Sequence, residues 1–255
     1  MPLIDTHCHL DFPELADDID SVLKRARDKG VTGFVVPGVS EPHWNRLLTL
    51  CARYSALYPA LGLHPCFDHP AVESDLLRLE QELQDHPELV AVGEIGLDLF
   101  IPQADLQHQL AFFVPQLRLA DQFDKPVLLH VRKAHDQVLK QLRQIKLQRA
   151  GLVHAFSGSE QQAREYLKLG YKLGIGGAVT YDRATKLRKL VAELPLESFV
   201  LETDSPDMPL LGYQGQLNYP ERVAKVAAVV AKLRQEPLAD VIGVTSAQSI
   251  NLLGL

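Results

Sequence analysis

The chain has 255 residues, of which 46% are hydrophobic and 23% are charged, a composition typical of a soluble globular protein. No stretch approaches the roughly 18 apolar residues of a membrane span. The first residues lack a basic segment that leads into an apolar one, so we expect no signal peptide. The three cysteines are not spaced as a disulfide or zinc framework, which makes a cytoplasmic location the expected one.

The formal net charge of −6 argues against a broad nucleic-acid footprint, but the charge is unevenly distributed. Between Arg132 and Lys189, 13 lysines and arginines stand against 4 acidic residues, so this segment carries +9 and the rest of the chain −15. Solvated outer faces of helices account for most of these cations. The excess still admits an anionic substrate that approaches from this side.

Eight short apolar runs alternate with helical patterns along the chain. The runs have the length and the Val, Ile and Leu content of buried strands. The segments between them carry apolar residues three and four positions apart, which is typical of helices with one buried face. The predicted strands cover residues 3–9, 33–37, 59–64, 89–95, 126–131, 151–156, 171–176 and 199–204.

Single residues predict where some of the helices begin, bend and end. Asp17 or Asp18 is placed to cap the first helix, which Gly30 closes. Pro115 lies inside the helical pattern after the fourth strand and predicts a kink there. Asp182 is placed to cap the helix after the seventh strand. Two helical patterns, at residues 223–233 and 238–253, finish the chain.

The alternation predicts the fold. Strands separated by about 10 to 20 residues of helical pattern imply right-handed βαβ units and a parallel sheet. Eight such units in 255 residues fit an α/β fold of the (β/α)8 TIM-barrel type. An open doubly wound sheet is the alternative. Because the sequence has no repeat, linker or low-complexity stretch, we expect one domain that covers residues 1–255.

Two histidines one residue apart, His7 and His9, end the first apolar run. In a strand these side chains share a face with Asp5, whereas Thr6 and Cys8 point to the other face. Two imidazoles at one strand end would present a pair of metal ligands. Such a motif alone is weak evidence, because two ordinary polar side chains at a strand end produce the same pattern.

The ends of the other predicted strands strengthen this interpretation. In a TIM barrel the active site lies at the carboxyl ends of the strands. Five of the ten histidines fall at such ends, together with two carboxylates, and these residues are His7, His9, His64, Glu94, His130, His154 and Asp204. Imidazole with carboxylate suits zinc, manganese, iron or nickel, and a central carboxylate can also recruit magnesium. Six ligands (His64 excluded) exceed one tetrahedral site, so we expect two divalent metal ions.

Six segments of the chain resemble the TatD family of metal-dependent deoxyribonucleases, within the amidohydrolase-like barrels. The resemblance spans nearly the whole chain, and the order and spacing of the segments make it specific. They are DTHCHLD at Asp5, GLHP at Gly62, GEIGLD at Gly93, LLHVRKAHD at Leu128, HAFSG at His154 and LETDSP at Leu201.

The resemblance implies a role for each of the six ligands. His7 and His9 resemble the ligands of one metal and His130 and His154 those of the other, with Glu94 as the bridging carboxylate. Asp204 would be a further ligand of the first metal that holds or deprotonates the attacking water, which makes Asp204 and Glu94 the expected catalytic residues.

Two further residues are candidates for substrate binding. His64 resembles the family's non-ligand histidine, which would contact a phosphate or donate a proton, although a structural histidine is an equal alternative. Arg132 has the strand parity of His130 and could bind a phosphate through two hydrogen bonds, or form an ion pair with Asp136.

Two further residues have expected supporting roles, and a group of glycines admits two interpretations. Asp98 is placed to orient a ligand histidine. Glu202 has the parity of Asp204 one level deeper and is expected in the barrel floor. Gly174, Gly176 and Gly177 permit either close approach of a ligand or tight helix packing.

The resemblance implies a hydrolase that acts on DNA ends, as a 3′ to 5′ exonuclease on single strands. Hydrolysis of a small ester, amide, lactone or phosphoester, or of D-aminoacyl-tRNA, is the alternative at the same two metals. A binding protein without turnover is a third hypothesis. Leu99, Phe100 and residues 207–220 depart from the better-known nucleases, and these departures bear on the substrate while they leave the six expected metal ligands unchanged. The metal (zinc, magnesium or manganese) and the oligomeric state, with a monomer admissible, stay open.

Overall fold

The computed structural model describes residues 2–69 and 71–255. Its eight strands are parallel and lie in one sheet in sequential order, each strand beside the next one along the chain. This order confirms the predicted (β/α)8 barrel and excludes a doubly wound sheet, in which the order reverses. The strands are β1 (Leu3–Asp5), β2 (Val31–Pro37), β3 (Leu57–Leu61), β4 (Ala91–Asp98), β5 (Val127–Arg132), β6 (Gly151–Val153), β7 (Lys172–Ile175) and β8 (Phe199–Leu201).

Helices connect successive strands and finish the chain. They are α1 (Pro13–Ala16), α2 (Ile19–Asp28), α3 (Glu41–Arg53), α4 (Val72–Asp85), α5 (Leu106–Gln122), α6 (His135–Ile145), α7 (Glu160–Lys168), α8 (Thr185–Glu193), α9 (Val223–Arg234) and α10 (Leu238–Leu253). Three short 3-10 helices cover Gly177–Thr180, Leu196–Ser198 and Pro220–Arg222. In the part of the chain that the structure describes, no helix is long and apolar enough to cross a membrane.

Backbone hydrogen bonds close the barrel between its first and last strands. The Thr6 N–H donates to the Leu201 carbonyl at 3.0 Å, the Asp204 N–H to the His7 carbonyl at 2.9 Å, and the His9 N–H to the Ser205 carbonyl at 2.8 Å. These bonds lie just beyond the ends of β1 and β8. The segments that carry His7, His9 and Asp204 are therefore held side by side.

Apolar side chains fill two regions. The larger one lies between the strands and the surrounding helices and includes Trp44 of α3 and Phe113 of α5. The smaller one contains one or more residues from six strands, among them Val35, Leu128 and Val200, and is joined by Leu253 of α10. The side chains of both regions are almost completely buried. Burial on this scale provides a rigid scaffold for the polar residues at the strand ends.

Several predicted boundaries were wrong. β1, β6 and β8 end after three residues each, so His7, His9, His154 and Asp204 follow their strands instead of ending them. There the chain turns away from the ladder to place polar side chains over the barrel.

The predicted caps also fail. Asp18 precedes α2 but its side chain accepts no capping hydrogen bond. Asp182 lies before the start of α8 and instead faces the Arg188 guanidinium at 3.3 Å. The helix α5 continues through Pro115.

Candidate metal centre

The Glu94 carboxylate lies at the centre of a polar cluster over the barrel and is only 2% exposed. Its Oε2 is 3.1 Å from His7 Nε2 and 3.6 Å from His9 Nε2. Its Oε1 is 3.0 Å from His130 Nδ1 and 2.9 Å from His154 Nε2. Oε2 thus faces His7 and His9, whereas Oε1 faces His130 and His154 and is also near His64. The structure brings together these predicted residues, which lie up to 147 positions apart in the sequence.

Asp204 belongs with the first pair. Its Oδ1 lies 3.7 Å from His7 Nε2 and 3.6 Å from His9 Nε2. The backbone of Asp204 has a φ of +58°, in the left-handed region that non-glycine residues seldom adopt. Residues in such conformations cluster at functional sites, where the surrounding structure holds them in place.

A bulge explains how Glu94 reaches the centre. The sequence placed Glu94 at a strand end, but β4 continues to Asp98, and the pairing of β4 with β5 shifts register between Val92 and Ile95. A bulge re-aims the side chain that it carries and is common beside active sites. Gly96 allows this course, because a Cβ atom there would collide with the His130 carbonyl oxygen.

Asp98 determines which nitrogen of His130 faces Glu94. Asp98 Oδ2 is 3.0 Å from His130 Nε2, and the other ring nitrogen, Nδ1, points to Glu94. A hydrogen bond from Nε2–H to the carboxylate leaves the lone pair of Nδ1 free. The Cys66 thiol, which the sequence motifs do not single out, contacts the same Asp98 oxygen at 3.4 Å.

The electrostatics of the cluster keep both carboxylates ionised but do not make all four histidines neutral. Burial alone would raise the pKa of Glu94, but the surrounding histidines hold it well below its usual range. Burial likewise opposes ionisation of Asp204, but the nearby imidazoles of His9, His154 and His7 keep its pKa lowered. Burial lowers the pKa of His7 to about 4, so this imidazole is neutral near pH 7. Burial opposes protonation of His9, His130 and His154, but the nearby carboxylates raise the pKa of His9 to about 9 and hold the other two above their ordinary value. Metal ligands must be neutral imidazoles and ionised carboxylates, so a bound cation would displace the protons of these three rings.

The donor set fits divalent cations. His7, His9 and Asp204 form one group whose ligand atoms lie within 4.8 Å of one another, and Glu94, His130 and His154 form a second. His130 Nδ1 and His154 Nε2 are only 3.2 Å apart and both face the same carboxylate oxygen. Two imidazole lone pairs directed at one point suit a cation between them.

His64 is oriented as a hydrogen-bond donor. Its Nδ1 accepts the Cys66 N–H at 3.1 Å, so the ring proton is on Nε2. Nε2 lies 3.2 Å from Glu94 Oε1. A nitrogen that carries a proton does not coordinate a metal, which distinguishes His64 from the four other histidines.

Arg132 does not form the alternative ion pair with Asp136. Its guanidinium carbon lies 3.9 Å from the centroid of the Phe100 ring. Asp136 instead accepts a hydrogen bond from the Gln162 amide at 2.9 Å. Because the arginine stacks and its charge is not paired there, it stays available to an anion.

Glu202 lies beneath the cluster, fully buried, as expected of the barrel floor. Its Oε1 accepts the Ala155 N–H at 2.5 Å and lies 3.8 Å from His154 Nδ1. Gly174 makes room for it, because a Cβ atom at position 174 would overlap the Glu202 carboxyl group. The glycine is thus explained by close approach of a side chain.

Asp5 has a structural role that the motif did not indicate. Its Oδ2 accepts a hydrogen bond from the Thr203 hydroxyl at 2.6 Å, and its Oδ1 accepts the Thr203 N–H at 3.0 Å. These bonds fix the residue that precedes Asp204. The shared face of Asp5 with the histidines was the only signal in the sequence.

Comparison with known proteins identifies the family. The model of the family described as TatD related DNase matches residues 4–254. The chain belongs to this family. A TatD relative named uncharacterized metal-dependent hydrolase YjjV, from Escherichia coli K12, is 47% identical over 239 residues, which are 93% of this chain and 92% of that one. These findings confirm the predicted resemblance and the class of metal-dependent hydrolases.

Two further TatD proteins extend the comparison. The crystal structure of the YjjV TatD homologue from Escherichia coli K12 superimposes with a TM-score of 0.96 at 45% identity and covers 99% of this chain and 98% of that chain. A protein named 3′-5′ ssDNA/RNA exonuclease TatD, from Klebsiella pneumoniae, is 35% identical over 209 residues, which are 80% of this chain and 78% of that one.

Proposed function

We propose that this TatD protein is a divalent-metal-dependent phosphodiesterase that removes nucleotides from the 3′ ends of single-stranded DNA. The observation that carries the proposal is the Glu94 carboxylate, whose Oε2 faces His7 and His9 while its Oε1 faces His130 and His154. The Klebsiella pneumoniae relative named as a 3′-5′ ssDNA/RNA exonuclease supports DNA as the substrate. The proposal treats residues 1–255 as one catalytic domain.

The ligand assignment follows the two groups of side chains. His7, His9 and Asp204 would hold one ion, and His130 and His154 the other, with Glu94 shared by both. The rings of His7 and His154 stack with centroids 4.1 Å apart, which brings the two groups into contact. When bound, two such ions lower the pKa of a water molecule and neutralise charge on the phosphoryl oxygens. Zinc, manganese and magnesium are the candidates.

The protein's own side chains position the substrate and move the proton. Asp204 is ionised and sits beside His7 and His9, where it accepts the proton of the attacking water. His64 Nε2–H donates a hydrogen bond to a phosphoryl oxygen, since its Nδ1 is occupied by the Cys66 N–H. Arg132 binds a substrate phosphate with the guanidinium that lies on Phe100.

A nuclease assay with defined ends tests the proposal. A single-stranded oligonucleotide labelled at its 5′ end should be shortened stepwise from the 3′ end by protein reconstituted with zinc, manganese or magnesium. Glu94→Gln should abolish this activity and reduce bound metal, measured by elemental analysis. Gln144→Glu, at an exposed position in α6 that does not line either cavity, is the control for surface change. Equal activity in Glu94→Gln would contradict the proposal.

A substrate panel separates the proposal from the alternative. The panel contains a carboxylic ester, a lactone, a phosphomonoester and a D-aminoacyl-tRNA. The same metals polarise a carbonyl as well as a phosphoryl group, so turnover of one of these without DNA cleavage would move the assignment to that substrate. Metal-loaded protein that turns over none of them would favour a binding protein.

A further inference from the structure

A cavity of about 570 Å³ opens beside the metal centre. Its walls come from the segments that follow β4, β5 and β6 and from the first turn of α6. Its lining includes Phe100, Arg132, Lys133, His135 and Ser157. Ligand-binding cavities of this size accommodate a small organic group or a nucleotide.

The cavity is related to the candidate metal centre through the register of β4 and β5. Asp98, which binds His130, is paired with Arg132 in the sheet register. Arg132 follows His130 by two residues, so at about 3.3 Å per residue it lies about 7 Å farther along the strand. Phe100 follows Asp98 by the same two residues. The Phe100–Arg132 stack is thus the next layer above the layer that holds the metal ligand.

The cavity carries cationic groups without acidic partners. Arg132 and Lys133 are exposed, and within residues 2–69 and 71–255 neither forms an ion pair. Asp136 also lines the cavity and offsets one of the two positive charges, while its Oδ1 accepts a hydrogen bond from the Gln162 amide. Most other arginines of this basic segment are already paired or bonded to carbonyls, as Arg143 is with Glu165. Arg132 and Lys133 therefore place two unpaired cations side by side at this cavity.

The start of α6 adds hydrogen-bond donors to the same wall. This helix of 11 residues has no side-chain cap, so the N–H groups of its first turn face outward from the helix end. His135, its first residue, is 8% exposed, and its Nε2 has no hydrogen-bond partner among the described residues. A buried polar atom without a partner is costly unless a ligand or water satisfies it.

We propose that this cavity binds the nucleotide next to the scissile bond. Arg132, Lys133 and the first turn of α6 would hold its phosphate, and Phe100, whose side chain is 56% exposed, would stack on its base. Basic side chains next to an aromatic ring are the usual means of holding a single strand. The inference rests on the proposed function, which it deepens by defining the substrate as a strand of at least two nucleotides.

The site is short. The lining residues Asp136, Ser159 and Gln162 also border a second cavity of about 310 Å³ between α6 and α7. The arginine of that second cavity, Arg143, is held by Glu165 at 2.8 Å. A strand that continues along this groove meets no free cation there, so the strong contacts end after one nucleotide.

A double variant tests the phosphate contacts. Arg132→Gln with Lys133→Gln removes both cations, and Arg118→Gln with Lys140→Gln removes the same charge from exposed positions elsewhere. Two substrates are compared, a single-stranded oligodeoxynucleotide and bis(4-nitrophenyl) phosphate, a diester without a neighbouring phosphate. We expect the first variant to raise KM for the oligonucleotide at least about tenfold and to raise KM for the small diester by a clearly smaller factor. The control variant should resemble wild type.

Binding without turnover gives an independent measurement. Fluorescence anisotropy with a phosphorothioate oligonucleotide should show weaker binding by the double variant. The slope of log affinity against log salt should also fall by about 0.7 for each phosphate that the protein no longer neutralises. Phe100→Leu should weaken binding of this oligonucleotide but not of one with an abasic nucleotide beside the terminal one.

The outcomes separate the two proposals. DNA cleavage with identical KM in the double variant and its control would overturn the cavity site and leave the proposed function intact. If the protein cleaves no DNA, the proposed function fails, and the anisotropy measurement alone decides the cavity. Binding that the double variant abolishes supports the site, and binding that it retains, or no binding at all, overturns it.

Discussion

Asp98 Oδ2 lies 3.0 Å from His130 Nε2, on the side of the imidazole away from Glu94. The carboxylate thereby holds the ring with its Nδ1 lone pair toward the second group of ligands. Removal of such a partner costs about 10- to 100-fold in metal affinity. We expect Asp98→Ala to lose affinity by this factor in competition with a chromophoric chelator, whereas Asp17→Ala, at an exposed aspartate, should bind as wild type does. Unchanged affinity in Asp98→Ala would show that packing alone orients His130.

The two groups of ligands predict separable metal sites. The double variant His7→Ala, His9→Ala should bind one equivalent fewer of metal by elemental analysis and keep its far-ultraviolet circular dichroism, because the apolar core lies below these residues. The variant His130→Ala, His154→Ala should lose the other equivalent. If either variant unfolds, or if each loses both metals, the sites are not independent.

The contact between Gly174 and Glu202 predicts a stability effect. Gly174→Ala adds a Cβ atom against the buried carboxyl group and should lower the free energy of unfolding by about 1 to 3 kcal/mol. Gly176→Ala is the matched control, since its Cβ atom would lie 3.4 Å from Glu202 Cγ, an ordinary contact. Urea unfolding followed by fluorescence measures both. The combined variant Gly174→Ala, Glu202→Ala should recover part of the loss, because the clashing group is gone.

His135 predicts a dependence of stability on pH. Burial lowers the pKa of this imidazole to about 4, against an ordinary 6.5, with Asp136 opposing the shift. The unfolded chain therefore takes up a proton between about pH 6.5 and 4 that the folded chain refuses, so stability falls as the pH drops through this window. At pH 5 the loss is about 2 kcal/mol relative to pH 8.

The measurement compares wild type with His135→Gln by urea unfolding at pH 8 and pH 5. The variant lacks the titrating group, so its loss of stability between these values should be smaller by about the same 2 kcal/mol. Equal losses in the two proteins would mean that His135 accepts its proton in the folded state.

The residues of the candidate metal centre could be predicted because strand and helix patterns alternate regularly along the sequence. The βα alternation indicates where parallel strands end, and a barrel brings all those ends to one face, so His130 and Asp204 could be assigned to one cluster without any contact information. The same argument predicted the barrel itself. It works because strand order and direction follow from the chain sequence once every connection is a helix.

Local details within strands and at helix ends could not be predicted from the sequence. The bulge at Glu94 leaves no mark in an apolar pattern, and the choice between Nδ1 and Nε2 of His130 depends on Asp98, four residues from Glu94 on the same strand. Aspartate is a residue type that commonly caps helices, but the backbone does not bring the side chains of Asp182 and Asp18 to the first turn. The path of the backbone there depends on tertiary packing. The stack of Arg132 on Phe100 joins two exposed side chains, and exposed positions carry no periodic signal.

The hydrogen bond from the Asp204 N–H to the His7 carbonyl joins residues 197 positions apart in the chain. The first ligand group consequently does not exist in a chain that still lacks β8, such as one emerging from the ribosome or cut short by truncation. Under the proposed function, a partly made protein lacks the carboxylate that accepts the proton of the attacking water and does not cut DNA. Completion of the fold and the onset of hydrolysis are then the same event.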